Sequence, residues 1–333
     1  MSSSSDSQCA NIDRINQLSS PIFQASCLFA GISAILTFCV SFYAMKKVIQ
    51  KSIFHFSTKM LLICNILYAN AHQLMWLQIS SSFLYRGWFK LDKPCELMYA
   101  PNECMPIHVV LMTSISGMVF VQTGLMIERA CATFLPKYSK LPTKLPGIVI
   151  ATVVLILSLS SYLFVASNDP SHDYIFSCGY YPVRNRDRAN KMLSIFGFLT
   201  FFNLLTTIAI LRYNSAFEYR NRFNLTERFE VKETIDATTI ICVLTISEFV
   251  AHFIYSFGLL IIRLNRDSFE KHNYFIVLSL FYTLPYGALL VPVLLIDRIC
   301  KLRTERHGKI QEITQQKHSI DEHMRQIQKF WSF

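Results

Sequence analysis

The sequence predicts an all-α membrane protein, a bundle of seven transmembrane helices with the N-terminus outside and the C-terminus inside. Of its 333 residues, 52% are hydrophobic and only 16% are charged, whereas about a quarter of the residues in a soluble domain are charged. Seven stretches are apolar over about 20 residues, which is the helix length that spans about 30 Å of hydrocarbon. No Lys or Arg falls inside these stretches, and the basic residues are divided unevenly between the connections.

Each apolar stretch is expected to form a helix, because a segment in lipid must satisfy its own backbone N–H and C=O groups. In chain order the predicted spans are 21–44, 60–84, 105–127, 146–166, 192–211, 236–262 and 273–296. Residues 1–20 form a short extracellular segment that lacks the basic n-region of a signal peptide, so the first span is expected to be an uncleaved anchor. Residues 297–333 form a cytoplasmic tail.

The predicted orientation comes from the basic residues in the connections. Loops 45–59, 128–145 and 212–235 together with the tail hold 21 Lys and Arg, and the other connections hold 11. Cytoplasmic connections carry the excess of basic residues, which places the N-terminus outside. Without the tail the contrast between loops is only 13 against 10.

Cysteine placement agrees with this orientation. Cys9, Cys95, Cys104 and Cys178 all fall on the predicted outer side, where disulfides persist. Four cysteines allow three connectivities, and unpaired thiols are a further alternative. In one connectivity Cys104, just before the third span, joins Cys178 and ties the following outer loop over the bundle, which leaves Cys9 with Cys95.

Two ionisable residues inside the sixth span are candidates for ligand binding. Glu248 lies near its middle and His252 follows four residues later, on the same helix face. Ionisable side chains are costly in lipid and often mark functional sites, so the two predict a polar patch lining a ligand cavity. The alternative is a neutral Glu248 that hydrogen-bonds to His252 or to a neighbouring helix and only fixes the packing.

The second and third spans supply two further candidates. Asn65, His72 and Trp76 recur at helical spacing and form one polar and aromatic stripe. Hydrogen bonding between helices explains such a stripe without any ligand, but the position of His72 in the outer half keeps a ligand role open. His108, at the outer end of the third span, has the same two explanations.

Several classes of protein find no support in the sequence. The HExxH, GxSxG and CxxC motifs do not occur, so neither an enzyme site, a bound metal nor a cofactor is expected. A retinal pigment needs a Lys within a span for its Schiff base, and no predicted span contains one. Nucleic acid is not an expected partner.

Two short motifs give the chain a resemblance to a known family. Residues 128–133 read ERACAT, with Tyr138 after them, and residues 225–233 read LTERFEVKE. These are similar to the ER-x-x-A-T box and the L-S-x-R-Y-Q-x-x-E sequence of the nematode serpentine chemoreceptors of class alpha, Sra, with the related class ab as the other possibility. The chain departs from ordinary rhodopsin-type receptors, because its sixth span has no Pro and its seventh has no NPxxY.

This resemblance implies a seven-helix G-protein-coupled chemosensory receptor that binds a small external cue. The expected partners are that cue and a heterotrimeric G protein, and the expected place is the plasma membrane of sensory neuron cilia. Arg129 is implied as the coupling switch: at rest it is held by Glu128 or a neighbour, and it is released as the third and sixth helices separate. The alternative reading of Glu128 and Arg129 is a surface ion pair worth about 0 to 1 kcal/mol.

The tail carries two further expectations. Steps of three and four residues separate seven positions that form a heptad seam, so the tail is expected to pair with another tail or to lie on membrane lipids. A solitary helix is the alternative, because three heptads are marginal without a partner. The seam consists of Ile310, Ile313, Lys317, Ile320, Met324, Ile327 and Trp331. Cys300, just past the seventh span, is a candidate for palmitoylation.

The competing function is a channel or transporter subunit with seven spans and the inverted topology. That arrangement would leave Cys104 and Cys178 in a reducing compartment and the basic tail outside. The identity of the cue, the G-protein class and the oligomeric state are not encoded in any pattern recognised in this sequence.

Overall fold

The computed structural model describes residues 9–51, 54–135, 138, 144–166, 174–179, 183–220, 225–265 and 271–331. Nearly all of these residues are helical, and seven helices are long and apolar enough to cross a membrane. The described helices are α1 Ile12–Ser19, α2 Pro21–Lys51, α3 Phe56–Phe89, α4 Pro101–Phe134, α5 Leu145–Ala166, α6 Val183–Arg220, α7 Leu225–Leu264, α8 Lys271–Leu280 and α9 Leu284–Trp331, with a 3₁₀ turn at Pro94–Leu97. The predicted all-α bundle of seven membrane-length helices is therefore confirmed.

The third spanning helix, α4, is the centre of the bundle. Two thirds of its most apolar segment is buried (67%), against 22% for α5, which lies at the edge. α4 packs against α3, α5, α6 and α7, while α9 closes the bundle against α2, α3 and α7. Large apolar side chains on the outer faces, such as Phe198 and Leu163, remain exposed, as expected of a surface that meets lipid.

Helix ends follow local sequence signals where the chain provides them. Asn11 caps α1, because its side chain accepts a hydrogen bond from the Arg14 backbone N–H at 3.1 Å. A proline stands in the first turn of α4, where its missing N–H costs nothing. α7 begins at Leu225, so the later half of the loop 212–235 is part of the sixth spanning helix.

The seventh span differs from the single segment expected at 273–296. α8 ends at Leu280 and α9 starts at Leu284, so the helix is interrupted inside the bundle. The Thr283 hydroxyl donates to the Ala251 carbonyl of α7 at 2.6 Å, and Pro285 follows in the first turn of α9. Interrupted backbone at membrane depth is tolerated only where protein or a cavity satisfies it, and α7 meets that condition here.

The tail is not a separate element either. α9 runs without a break from Leu284 to Trp331, and 48 residues at 1.5 Å each give a helix of about 72 Å. Of the predicted seam, the structure describes only the Met324 side chain, which is exposed; the other six side chains lie outside the described part. Likewise, the side chains of residues 225–230 in the second family motif fall outside it.

Two large apolar cores lie towards the two ends of the bundle, and Phe120 packs against both. One core contains Phe23, Phe83, Phe196 and the Cys104–Cys178 bridge. The other contains Leu61, Leu125 and Leu295, beside the buried Glu128 and Arg129. We call the end with the bridge the disulfide face and the opposite end the Arg129 face.

Candidate functional site

Two disulfides fix the chain at the disulfide face. The structure joins Cys9 to Cys95 and Cys104 to Cys178. Backbone hydrogen bonds reinforce them: Tyr99 and Ile175 exchange two, of 2.7 and 2.9 Å. As a result, the N-terminal segment, the connection between α3 and α4 and the connection between α5 and α6 are tied together.

A cavity of about 230 Å³ lies beneath this covalent cover. It is bounded by α3, the start of α4 and the segment around Cys178, and the Ser82 and Tyr99 hydroxyls hydrogen-bond at its edge. Its lining consists of Gln78, Ile79, Ser82, Phe83, Tyr99, Glu103, Ile107, Ser177 and Cys178. None of the ligand candidates chosen from the sequence lines this cavity, although His108 follows Ile107 directly in the chain.

The sequence-predicted candidates Glu248, His252 and His72 instead lie in a buried group between the two apolar cores, which we call the polar core. Asn65 donates from Nδ2 to Glu248 Oε1 at 2.8 Å, which links α3 to α7. His252 Nδ1 lies 2.9 Å from the Glu248 backbone oxygen, one helical turn away. The geometry of Glu248 therefore agrees with the alternative expectation, in which it hydrogen-bonds to a neighbouring helix.

His72 completes the polar core through the interrupted seventh span. Its Nε2 lies 2.9 Å from the hydroxyl of Tyr282, and the Tyr282 ring stacks on Trp76 with centroids 4.1 Å apart. Tyr255 of α7 meets the same ring edge to face at 5.1 Å. The break in the seventh span is thus where α3, α7 and α8 are joined by polar and aromatic contacts.

Several buried polar atoms of this core have no hydrogen-bond partner within the described part of the chain. They are Asn65 Oδ1, His72 Nδ1, Gln73 Oε1, Trp76 Nε1, Glu248 Oε2 and His252 Nε2. Native interiors leave few such atoms, and each costs about 1–3 kcal/mol. These atoms mark the polar core as a place where buried hydrogen-bonding groups of α3 and α7 lie close together.

Glu128 and Arg129 form a buried pair at the Arg129 face. Their side chains are 0% and 5% exposed, so the reading as a surface ion pair is wrong. Arg129 donates to both Glu128 carboxylate oxygens, each at 2.6 Å. Its Nη2 also donates to Thr58 Oγ1 at 2.6 Å. The neighbour that holds Arg129 is therefore in the first turn of α3, just before the predicted second span.

Two further contacts extend this pair. Tyr138 donates weakly to Glu128 at 3.4 Å, and burial, followed by the Glu128 carboxylate, raises the pKa of Tyr138 to about 12. Tyr138 therefore stays protonated and remains a donor. Asn214 of α6 donates to Thr133 at 3.0 Å, so family-motif residues bind α4 to α3 through Arg129 and to α6 through Thr133.

The connection between α7 and α9 at this end is separate. Arg306 pairs with Asp236 at 3.2 Å, which joins α9 to α7. No hydrogen bond joins Arg129 to α7 among the described side chains, and its partners there are Glu128 and Thr58. Cys300 lies on the same part of α9 as an exposed free thiol.

Sequence reasoning missed Thr58, Gln73, Tyr282 and the cavity residues Tyr99 and Glu103. Thr58, Gln73 and Tyr282 are recognisable only by their long-range partners, and the partner of Thr58 lies 71 positions away in the chain. The cavity residues are recognisable only by the space that they line. One signal was available: Pro285 disfavours helix in the residue before it, which would have placed the break near Tyr282.

Seven membrane-length helices with a buried Glu-Arg pair at the end of the third define a multi-pass membrane protein of the seven-helix receptor class. The chain belongs to the family of serpentine type 7TM GPCR chemoreceptors, Sra, whose model it matches over residues 4–331. Class alpha is thereby confirmed as the resemblance expected from the sequence.

Relatives from Caenorhabditis elegans cover nearly the whole chain. Serpentine receptor class alpha-7 is 39% identical over 325 residues, 97% of this chain and 98% of the relative. Serpentine receptor class alpha-1 is 38% identical over 322 residues, 97% of each. Serpentine receptor class alpha-6 is 38% identical over 328 residues, 98% of this chain and 100% of the relative.

Proposed function

We propose that this chain is a chemosensory receptor that binds a small external cue on the side of its disulfide face and activates a heterotrimeric G protein at its Arg129 face. The disulfide face is then extracellular and the C-terminus cytoplasmic. The observation that carries the proposal is the buried pair of Glu128 and Arg129, which braces α4 against α3 through Thr58. A buried ion pair that also bonds to a second helix suits a two-state switch, because movement of either helix breaks the bond between them.

Two observations support the orientation. Both disulfides lie at one end of the bundle, as suits an oxidising compartment. The connections at the other end, with the tail, hold 21 of the 32 basic residues, as the positive-inside rule expects. We place the receptor in the plasma membrane and, by analogy with its family, in sensory neuron cilia.

The polar core gives this receptor a means of relaying the cue. Glu248, His252 and His72 join α3, α7 and the break in the seventh span, and His108 lies on α4 near the disulfide face. We propose that a bound cue contacts or displaces these groups and so shifts α7 against α3. The cue then increases the population of the state that it binds more tightly, and the difference between its affinities for the two states sets the size of the shift.

The tail supplies two secondary contacts in this proposal. The α9 extension pairs with another tail or rests on membrane lipid, and Cys300 carries a palmitoyl chain that adds to membrane binding. Acyl-exchange labelling tests the second point, because the Cys300→Ser variant would lose a label that the parent chain shows.

Cue-dependent signalling tests the central proposal. Cells expressing the receptor are screened with odorants and water-soluble cues with a calcium readout, and an active cue is applied to Arg129→Ala. We expect this variant to reach the surface and to lose the response. The matched control is Arg212→Ala, which removes an exposed arginine from the same end of the bundle and should keep it. An intact response in Arg129→Ala at equal surface expression would contradict the switch role.

A further inference from the structure

The cavity under the Cys104–Cys178 bridge has the size of a small organic molecule. Its volume is about 230 Å³, and a water molecule occupies about 30 Å³. The space therefore accommodates roughly seven or eight non-hydrogen atoms. This is below the usual size of a pocket for a drug-like ligand, which restricts the occupant to a compact compound.

The lining combines an apolar wall with one charge. Ile79, Phe83 and Ile107 supply the apolar surface, and four polar uncharged side chains supply hydrogen-bonding groups. Those four are Gln78, Ser82, Tyr99 and Ser177. Glu103 is the single charged residue of the lining, so the site favours an apolar body that carries one positive head group.

Glu103 is accessible to a ligand. It lies in the first turn of α4, and its side chain is exposed. Its carboxylate can therefore meet a cationic group without rearrangement of the fold.

Basic side chains near the cavity are engaged elsewhere. Arg86 is close enough to interact with the Glu103 charge, but its Nη1 donates to the Leu97 carbonyl at 2.7 Å and its guanidinium lies 3.4 Å from the Tyr99 ring centroid. Lys90 and Lys93 both pair with Glu96. Within the described residues, no ion pair is made by Glu103.

We propose that this cavity binds a small organic ammonium compound, with Glu103 as the counter-ion of its cationic head and the apolar wall around its hydrocarbon part. This deepens the function proposed above and rests on it, since it names the class of external cue. The Cys104–Cys178 bridge then serves to hold Ser177 and Cys178 against α3 and α4, so that the wall is in place before the ligand arrives.

Ligand binding is measured on the purified full-length receptor by thermal unfolding, without any G protein. Butylamine and benzylamine are compared with 1-butanol, benzyl alcohol, butyrate and benzoate, which match them in size but not in charge. A ligand that binds only the folded state raises the Tm, so we expect saturable increases with the amines alone. Equal increases with the alcohols, or none with the amines, would overturn the proposal.

A pair of carboxylate variants locates the effect. Glu103→Gln is expected to weaken amine binding by roughly tenfold or more, because it removes a charge-assisted contact. Glu96→Gln removes a carboxylate from the same face that is already paired with two lysines, and it should bind like the parent chain. Unchanged amine binding in Glu103→Gln would show that Glu103 is not the counter-ion and would contradict the proposed site.

A second measurement does not depend on the folding of Glu103→Gln. Gln78 is an exposed residue of the lining, and the Gln78→Cys variant places a thiol at the cavity. A cationic methanethiosulfonate reagent should modify this thiol faster than an anionic one, above the background of the parent chain, and benzylamine should slow the reaction. Equal rates and no protection would contradict a cation site.

The two proposals fail in distinguishable ways. Absence of amine binding together with a response of cells to another cue would remove only the assignment of the ligand class. Amine binding without any G-protein response would leave the cation site and remove the signalling proposal.

Discussion

Thr58 is the residue through which Arg129 reaches a second helix. Removing its hydroxyl in Thr58→Ala deletes a buried hydrogen bond to a charged group, worth about 1.5–3 kcal/mol. If this bond stabilises the resting state, its loss shifts the population toward the active state by roughly tenfold for each 1.4 kcal/mol. We predict raised basal G-protein signalling, measured at equal surface expression.

A threonine that faces outward provides the control for this prediction. Thr152 is exposed on α5 and its hydroxyl bonds only to the carbonyl of its own helix, at residue 148. Thr152→Ala should leave basal signalling unchanged. Identical basal activity in both variants would mean that the Arg129 to Thr58 contact does not restrain the receptor.

Among single residues, the sequence predicted those whose charge is unusual for their surroundings and missed those of ordinary type. Glu128 and Arg129 interrupt an apolar run, and Glu248 is an acid inside a span, so each is visible without a structure. Thr58 and Tyr282 are ordinary residues of membrane helices, and only the long-range contact that each makes gives it a role. Pairing across 71 positions depends on helix packing, which a local pattern does not contain.

Gly147 governs how closely α5 approaches α3. A Cβ at this position would lie 2.8 Å from the Ser57 Cα, a backbone atom that cannot rotate away. Gly147→Ala therefore forces the two helices apart, and overpacking of this kind costs about 1–3 kcal/mol. We predict a lower Tm of the purified receptor and less protein at the cell surface.

Gly197 of α6 is the matched position, because a Cβ there meets no atom within 4 Å. Gly197→Ala should keep the Tm or raise it slightly, since Ala is favoured over Gly in a helix by about 1 kcal/mol. If the Gly147 variant were as stable as the Gly197 variant, the close approach of α3 and α5 would be disproved.

We predict that the Tyr282 ring contributes more to the stability of the interruption between α8 and α9 than its hydroxyl does. Tyr282→Phe keeps the stacking on Trp76 and loses the contact with His72, which should cost about 1 kcal/mol. Tyr282→Ala also loses the aromatic contacts and should cost more. Thermal unfolding separates the two, and an equal loss of stability in both would show that the ring contributes nothing.

This interruption marks the limit of predicting elements from apolar length. Residues 273–296 are apolar throughout, so hydropathy predicts one helix, and it registers neither the Thr283 bond to the Ala251 carbonyl nor the first-turn Pro285. The continuity of α9 into the tail was missed for a related reason, because the change in polarity at Asp297 suggested a boundary where the backbone has none.

The whole bundle was the most predictable level, because lipid leaves the chain few alternatives. A span must satisfy its backbone internally, so seven apolar stretches imply seven helices, and the described part of the chain contains seven of membrane length. Their arrangement was not predictable in the same way. That α4 is central and α5 peripheral follows from side-chain packing, which mean hydropathy does not register, since α5 is the more apolar of the two.

The orientation of the whole bundle in the membrane determines the direction of signalling. A disulfide face that senses and an Arg129 face that signals require the disulfides to be outside, and the excess of basic residues on loops alone is small. Reversing the bundle would put the cavity and Glu103 in the cytoplasm and the α9 extension outside, as a channel or transporter subunit of inverted topology would have them.

Accessibility of the two termini in living cells is the measurement that tests this account most directly. One epitope tag is placed before residue 9 and another after residue 331, and antibody labelling is compared before and after permeabilisation. The account predicts an N-terminal tag that is labelled on intact cells and a C-terminal tag that is labelled only in permeabilised ones. A protected N-terminal tag with a labelled C-terminal tag would contradict it.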